Sequence, residues 1–437
     1  MKNSNPIFWH QGLFLQPQHF QLHDLYTQSL LRPYGRFVQP HFWGVGDLQI
    51  EEASIGNYSF DITRGEFFFP DGTYVSYPGN ALVHARSFDK AWVEREKPFT
   101  VYLGLRKMMP GGENVTVVPG LDEAFDVPTR FVTATDPEEI QDLYGDGPPA
   151  PLKRLCYALK VFWETEREEL GEYYYIPVAK LETEGDAIRL SRCFVPPCLS
   201  LSSSGLLMSV VKDIRDQVAS RCNQLEQYKR PGELESMAFG TNEMVYMLAL
   251  RSINRYEPVL FHLTESDGIH PWAVYGTLRQ LIGELSSFSE HLNAKGESPD
   301  GKRLLPPYDH QDLWSCFSKA RSLVSRLLNE ITVGRGNEIR LEHVEPNYVG
   351  TFSPSAFDRR NHFYLILRSK TAAEEVTRSV QSFAKLSTPD NLPSLIAQAI
   401  PGIGLEPIRT PPPGVPRRPN SVYFRIDHKD PQWEDVK

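Results

Sequence analysis

The chain has 437 residues, 41% of them hydrophobic and 23% charged, with a formal net charge of −9. That length exceeds what one hydrophobic core supports and implies about two to four domains, while the acidic balance speaks against nucleic-acid binding, which needs clustered positive charge. No apolar run approaches the ~18 residues of a membrane span, no apolar segment of a secretion signal follows Met1–Asn5, and cysteines at 156, 193, 198, 222 and 316 without metal spacing suit a reducing, cytosolic compartment.

Residues 1–40 form an arm and a helix. Ile7, Phe8, Trp9, Leu13, Phe14 and Leu15 crowd a stretch broken by Gly12 and Pro17, and no helix or strand period fits them. Pro17 suits the first position of a helix, where its missing N–H is not needed. The helix is expected to run to about Arg32 and stop at Pro33. Apolar groups on such an arm must be covered by the chain's own body or by a partner.

Residues 41–197 show strand alternation. Val101, Leu103 and Leu105 alternate with Tyr102, Gly104 and Arg106, and Leu155, Tyr157, Leu159, Val161 and Trp163 do so over a longer run. Phe67 and Phe69 lead through Pro70-Asp71-Gly72 to Tyr74-Val75, a strand, turn and strand. With no long helical pattern between them apart from a possible turn at 137–144, these strands predict an antiparallel β-sandwich. Pro196-Pro197 closes it.

Residues 198–334 predict a four-helix bundle. Leu207, Val211, Ile214, Val218, Cys222 and Leu225 nearly keep a 3.5-residue rhythm. Val274, Leu278, Leu281, Leu285, Phe288 and Leu292 keep it fully, as do Leu313, Phe317, Ala320, Val324, Leu327 and Ile331. That period is the seam of supercoiled helices, within one bundle or between copies of the chain, and it does not choose an oligomer number. A further helix is expected over Glu233–Tyr256, with Leu234, Met237, Met244 and Leu248 at helical spacing, then a loop from Pro258 to His270. Residues 335–437 predict a small α+β module: strands at Glu338–Val344, His362–Leu367 and Ser421–Ile426, helices at Ala372–Leu386 and Leu392–Ala399, and a stiff Pro411-Pro412-Pro413 connector. Proline and glycine near Pro196 and Gly334 permit hinges.

Catalytic motifs are missing. There is no GxxxxGK, HExxH, GxSxG or CxxC, and Gly334-Arg335-Gly336 lacks the third glycine of a dinucleotide site. His19 and His23, with His10 nearby, have zinc-compatible spacing but no third ligand, so packing or surface roles suit them better. The acidic run Glu164, Glu166, Glu168 and Glu169 reads as a solvated turn. No enzyme activity, metal or cofactor is expected.

The arm carries a recognisable pattern: Trp9-x-x-Gly12-Leu13-Phe14-Leu15-x-Pro17-Gln18-His19-Phe20-Gln21. With Phe42-Trp43-Gly44-Val45, Phe69-Pro70-Asp71-Gly72-Thr73, Tyr423-Phe424-Arg425 and Trp433, it resembles the type VI secretion baseplate subunits of the TssK (ImpJ, VasE) family, in order and spacing over nearly the whole chain. Gln11 departs from the pattern, where an acidic residue often precedes the glycine. The resemblance implies a trimer with a phage receptor-binding-like shoulder, a helical neck around the threefold axis and a separate head, and a further helix and strand after Lys437. It also implies a non-enzymatic, cytoplasmic adaptor between the baseplate wedge proteins TssF and TssG and the inner-membrane proteins TssL and TssM. The wedge contact then falls on Trp9, Gly12, Leu13, Phe14, Leu15, Pro17 and Phe20, and the membrane-complex contact after Gly334. A phage-like receptor- or carbohydrate-binding tail protein is the alternative, with Trp433, Asp427 and Asp430 as its sugar-facing groups.

Overall fold

A computed structural model of the chain describes residues 5–92, 94–185, 187–226, 241–331, 339–352, 357, 362–409, 411–412, 415 and 420–436. The chain forms two compact units, one of residues 1–217 and 256–326, the other of residues 218–255 and 327–437. Its helices are α1 (Pro17–Phe37), α2 (Glu52–Gly56), α3 (Gly205–Leu225), α4 (Thr241–Glu265), α5 (Pro271–Leu285), α6 (Leu313–Glu330), α7 (Ala373–Phe383) and α8 (Leu392–Ala397).

The first unit is built on two sheets. Gly44–Ile50, Ile62–Phe68 and Tyr74–Tyr77 form a three-stranded antiparallel sheet. A seven-stranded sheet is ordered Ala187–Leu190, Tyr173–Glu184, Phe99–Arg106, Cys156–Trp163, Phe131–Ala134 and Val115–Val118, with Ala81–Leu82 also paired to Cys156–Trp163. Val45, Phe67, Phe69 and Val75 of the first sheet share one core with Val101, Leu103, Leu105, Val161, Trp163 and Ile176 of the second. Val101, Leu103, Leu105, Leu159, Val161 and Trp163 therefore face inward as their period demands, each burial contributing about 1.5–3 kcal/mol, whereas Leu155 precedes its strand and is exposed.

The larger sheet is mixed, not purely antiparallel. Val115–Val118 lies parallel to Phe131–Ala134, and Ala81–Leu82 parallel to Cys156–Trp163. Alternation fixes which face a side chain takes but says nothing of strand direction, and the crossover through Leu121–Glu123 turns the chain back. The possible turn at 137–144 proves to be part of a short hairpin, Glu138–Ile140 against Ala150–Leu152.

Phe99–Arg106 is covered on both faces. Tyr102 packs with Phe162, Leu170 and Tyr173 on the side away from the main core. Gly104 makes this possible, since a Cβ there would sit 2.6 Å from the Phe162 ring.

Two polar anchors hold the sheets. Thr73 N–H donates to Asp71 Oδ1 inside the Pro-Asp-Gly turn, and Asp71 Oδ2 pairs at 3.0 Å with Arg130, which is 4% exposed. Arg130 also donates to the Arg106 carbonyl (2.7 Å) and to Thr73 Oγ1 (2.7 Å). The acidic run is likewise structural: Glu166 takes both guanidinium nitrogens of Arg86 and the Trp163 N–H, while Glu164 accepts from Thr100 N–H. Burial opposes the Glu166 charge, yet the Arg86 and Trp163 hydrogen bonds prevail and hold its carboxyl below the usual range.

Residues 195–199, expected as a loose connector, are tied to the sheet. Val45 N–H donates to Pro197 O (2.8 Å), Leu199 N–H donates to Val45 O (2.9 Å), and Val195 and Cys198 are buried. Gly44 permits the approach: its φ is +125°, and a Cβ would lie 2.3 Å from the Pro197 oxygen.

In the same unit, Arg215 of α3 lies 4.7 Å over the Phe261 ring of α4 and donates to Thr264 Oγ1. Ser325 of α6 donates to Gln217 of α3, and Tyr275 of α5 packs against Phe317 of α6. Two helices outrun their prolines. α1 continues past Pro33 to Phe37, and α4 passes through Pro258 to Glu265. An interior proline removes one backbone hydrogen bond at a cost of about 3 kcal/mol. In α4 the buried Ile253, Tyr256 and Leu260 lie on both sides of the proline and offset that cost. Exposed α1 can leave the freed carbonyl to solvent. Pro231-Gly232, Leu234 and Met237 lie outside the described residues, as do Gly334-Arg335-Gly336 and Pro413.

The second unit contains a three-stranded antiparallel sheet ordered Tyr364–Arg368, Ser421–Ile426 and Leu405–Ile408, and a hairpin of Glu342–Val344 with Asn347–Val349. Ile403, Ile426 and Trp433 form its core with Phe357, Phe363 and Leu386 against them. Lys385 closes the end of α8 by donating to the Leu395 and Ile400 carbonyls. The strand at Ser421–Ile426 falls where alternation placed it.

Candidate partner-binding arm

The arm begins as an irregular segment and passes into α1. Leu13 N–H donates to His10 O, closing a turn in which Gly12 occupies the third position with φ +88°. That is a type II position, which glycine takes without steric cost. Pro17 then starts α1, and the Gln16 N–H, otherwise an orphan, donates to His19 Nδ1 at 3.0 Å.

This backbone turns apolar side chains outward. Phe8 is 82%, Trp9 47% and Phe14 80% exposed, with Leu15 and Phe20 also open to solvent and Leu13 half-buried. Gly12 and Pro17 are exposed as well, and α1 has no buried residue, its Leu30, Leu31, Tyr34 and Phe37 pointing into solvent. No Asp, Glu, Lys or Arg occurs between residues 6 and 22. The exposed groups of this segment are therefore apolar or uncharged, a composition unusual for a surface left to water. Trp9 rests on the rings of His19 and His23, with centroids 6.3 and 6.1 Å away. The histidine pair therefore packs against the Trp9 ring. Among the described residues no group of three His, Cys, Asp or Glu could hold a metal ion.

The seam residues sit elsewhere. Leu207, Val211, Ile214, Val218, Val274, Leu278, Leu281, Leu285, Leu313, Phe317, Val324 and Leu327 are all buried within the single chain. One face of α4 stays uncovered, where Met244 (57%), Val245, Met247 and Leu248 (49%) are exposed. Periodicity alone puts Met244 and Leu248 among the bundle residues, because a buried helix face and a face awaiting a partner have the same spacing. In the second unit, Phe383, Ile396 and Ile400 are exposed, whereas Trp433 is 4% exposed and stacks on His428. A glycan-binding aromatic needs an open face, so Trp433 with Asp427 and Asp430 does not make one.

One cluster that sequence reasoning misses lies at the base of the arm. His41, His310 and His270 stack ring on ring. Its sequence signal is His270 before Pro271, an N-cap followed by proline at the first helical position.

Residues 19–437 match the family model described as bacterial type VI secretion, EvfL, ImpJ, VasE. The chain is 28% identical over 445 residues to the type VI secretion system baseplate component TssK1 of Pseudomonas aeruginosa, covering 100% of this chain and 94% of that protein. It is similar to a crystal structure of TssK, with a TM-score of 0.65 and 24% identity, covering 99% of this chain and 94% of that one. It is also similar to a chain of the type VI secretion TssK–TssF–TssG baseplate subcomplex revealed by cryo-electron microscopy, with a TM-score of 0.61 and 23% identity, over 74% of this chain and 99% of that one. No helix among the described residues is long and apolar enough to cross a membrane.

Proposed function

The chain belongs to the bacterial type VI secretion family of ImpJ and VasE, and from that premise we propose that it is a structural, non-enzymatic baseplate adaptor. In this reading the arm binds the wedge proteins TssF and TssG. The observation that carries it is the exposed, charge-free surface of Phe8, Trp9, Phe14, Leu15 and Phe20. Large aromatics that fill a partner's pocket are the usual anchors of an interface. The end after residue 334 meets the cytoplasmic parts of the inner-membrane proteins TssL and TssM, with Phe383, Ile396 and Ile400 as available apolar contacts. The protein works on the cytoplasmic side of that membrane.

Co-purification tests both ends. A chain lacking residues 1–16 is expected to lose TssF–TssG while still capturing TssL, and a chain ending at residue 334 to do the reverse. Trp9→Ala or Phe14→Ala should each weaken wedge binding about thirtyfold, the effect of removing one hot-spot anchor. Wedge capture at full strength without residues 1–16 places the contact elsewhere.

The neck is a homotrimer, and its contact between copies uses the open α4 face, since the seam is already filled within one chain. Met244, Met247 and Leu248 follow the i, i+3, i+4 spacing of a helix-to-helix contact. Sedimentation should give a trimer for the wild type and a folded monomer for Met244→Glu with Leu248→Glu. A monomeric wild type rules out the trimer, and a trimeric variant moves the contact off α4.

A further inference from the structure

The histidine stack joins three segments of the first unit. His41 and Trp43 follow α1, His270 caps α5, and His310 lies just before α6. The ring centroids are 5.4 Å apart from His41 to His310 and 5.4 Å from His310 to His270. His270 Nε2 lies 3.1 Å from the His41 carbonyl, and His310 Nε2 lies 2.7 Å from the Trp43 carbonyl. A carbonyl only accepts, so both Nε2 atoms carry hydrogen.

The other nitrogens are also committed. His270 Nδ1 accepts the Trp272 N–H at 3.1 Å, and His310 Nδ1 lies 2.8 Å from the Tyr308 hydroxyl. His270 is thus a neutral imidazole with one bond given and one received, and burial of His310 favours the same state there, with the Tyr308 hydroxyl donating to Nδ1. A second proton on His270 would point at a backbone N–H, which cannot accept it. The Trp272 bond, and with it the N-cap of α5, would be lost.

We propose that the His41–His310–His270 stack is a proton-sensitive joint that holds the base of the arm while His270 and His310 are neutral and releases it when those two rings are protonated.

The surroundings favour the neutral state. Burial pushes His310 down to about 4; its bond to the Trp43 carbonyl and nearby Asp309 oppose this, while His270 and His41 add to it. Burial also lowers His270, against its bond to the His41 carbonyl. Asp309 already receives the Gln311 N–H on Oδ1. Burial, with Cys198, Cys316 and Asp309 nearby, keeps Tyr308 protonated as a donor. Tyr275, beside Cys316, Arg279 and Arg303, is held protonated by burial too and donates to Pro306 O. Because the folded-state values are depressed, the joint is intact above the unfolded value of 6.5 and weakens as pH falls from there toward 4.

Amide hydrogen exchange on the chain alone, corrected for intrinsic rates, tests the joint. Between pH 7.5 and 5, protection at Trp43, Val45, Trp272 and Ala273 should fall about tenfold. Protection at Leu103 and Val161 should hold. In His270→Gln with His310→Gln, where an amide N–H replaces each Nε2 donor without titrating, protection at the four sites should not change with pH. Unchanged wild-type protection at pH 5 overturns the proposal, and so does a loss spread evenly over the sheet or an equal acid loss in the Gln variant. Should that variant not fold, the wild-type comparison decides alone. Any effect on wedge capture rests on the arm reading above; the exchange result does not, so either can fail without the other.

Discussion

Aspartate at both Leu281 and Leu285 is expected to abolish folding of the helical part, not to free intact monomers. Both leucines are fully buried on α5 within one chain. Each replacement loses about 1.5–3 kcal/mol of burial and places an unpaired carboxylate in an apolar site, costing several kcal/mol more. Two such losses together are of the same size as the roughly 5–15 kcal/mol by which a typical domain is stable. Loss of soluble protein, or of the helical circular dichroism signal and its cooperative melt, is the measurement. Leu281→Met keeps volume and should cost less than about 1.5 kcal/mol. A soluble aspartate variant with the wild-type melting curve would contradict the burial described above.

Asp71→Ala is expected to destabilise the sheets by about 3–5 kcal/mol, because it strands the buried Arg130 guanidinium without its carboxylate. Arg130 keeps bonds to the Arg106 carbonyl and Thr73, but neither neutralises its charge. Urea unfolding should show the shift in midpoint. Adding Arg130→Met should recover most of the loss, as exchange of a whole buried pair for apolar groups is often neutral. A single variant within about 0.5 kcal/mol of wild type would mean that the pair is solvated and of little weight.

Much of the fold is legible in the sequence because its signals are local. Strand alternation places Val101, Leu103 and Leu105 on the core, proline at a first helical turn places the start of α1, and Pro-Asp-Gly places the turn before Tyr74. Non-local facts are not legible. Nothing in the alternation of Val115–Val118 says that its neighbour runs parallel. Pro33 and Pro258 read as stops because the burial that outweighs the second depends on tertiary packing. The arm is legible as apolar residues without a period, and it is exposed in the structure. Its turn at Gly12 is not, since a lone glycine names no turn type until the His10 carbonyl and Leu13 N–H are seen to meet. The histidine joint brings together residues 41, 270 and 310, which no spacing rule connects.

The close fit of Gly44 against Pro197 has a mechanical side. With Val45 bonded both to Pro197 and to Leu199, the run leading into α3 is tied to the first strand by a parallel bridge at Cys198. A load drawn along the start of α3 therefore reaches the sheet without first taking up slack, and the two prolines that look like a swivel behave as a rivet.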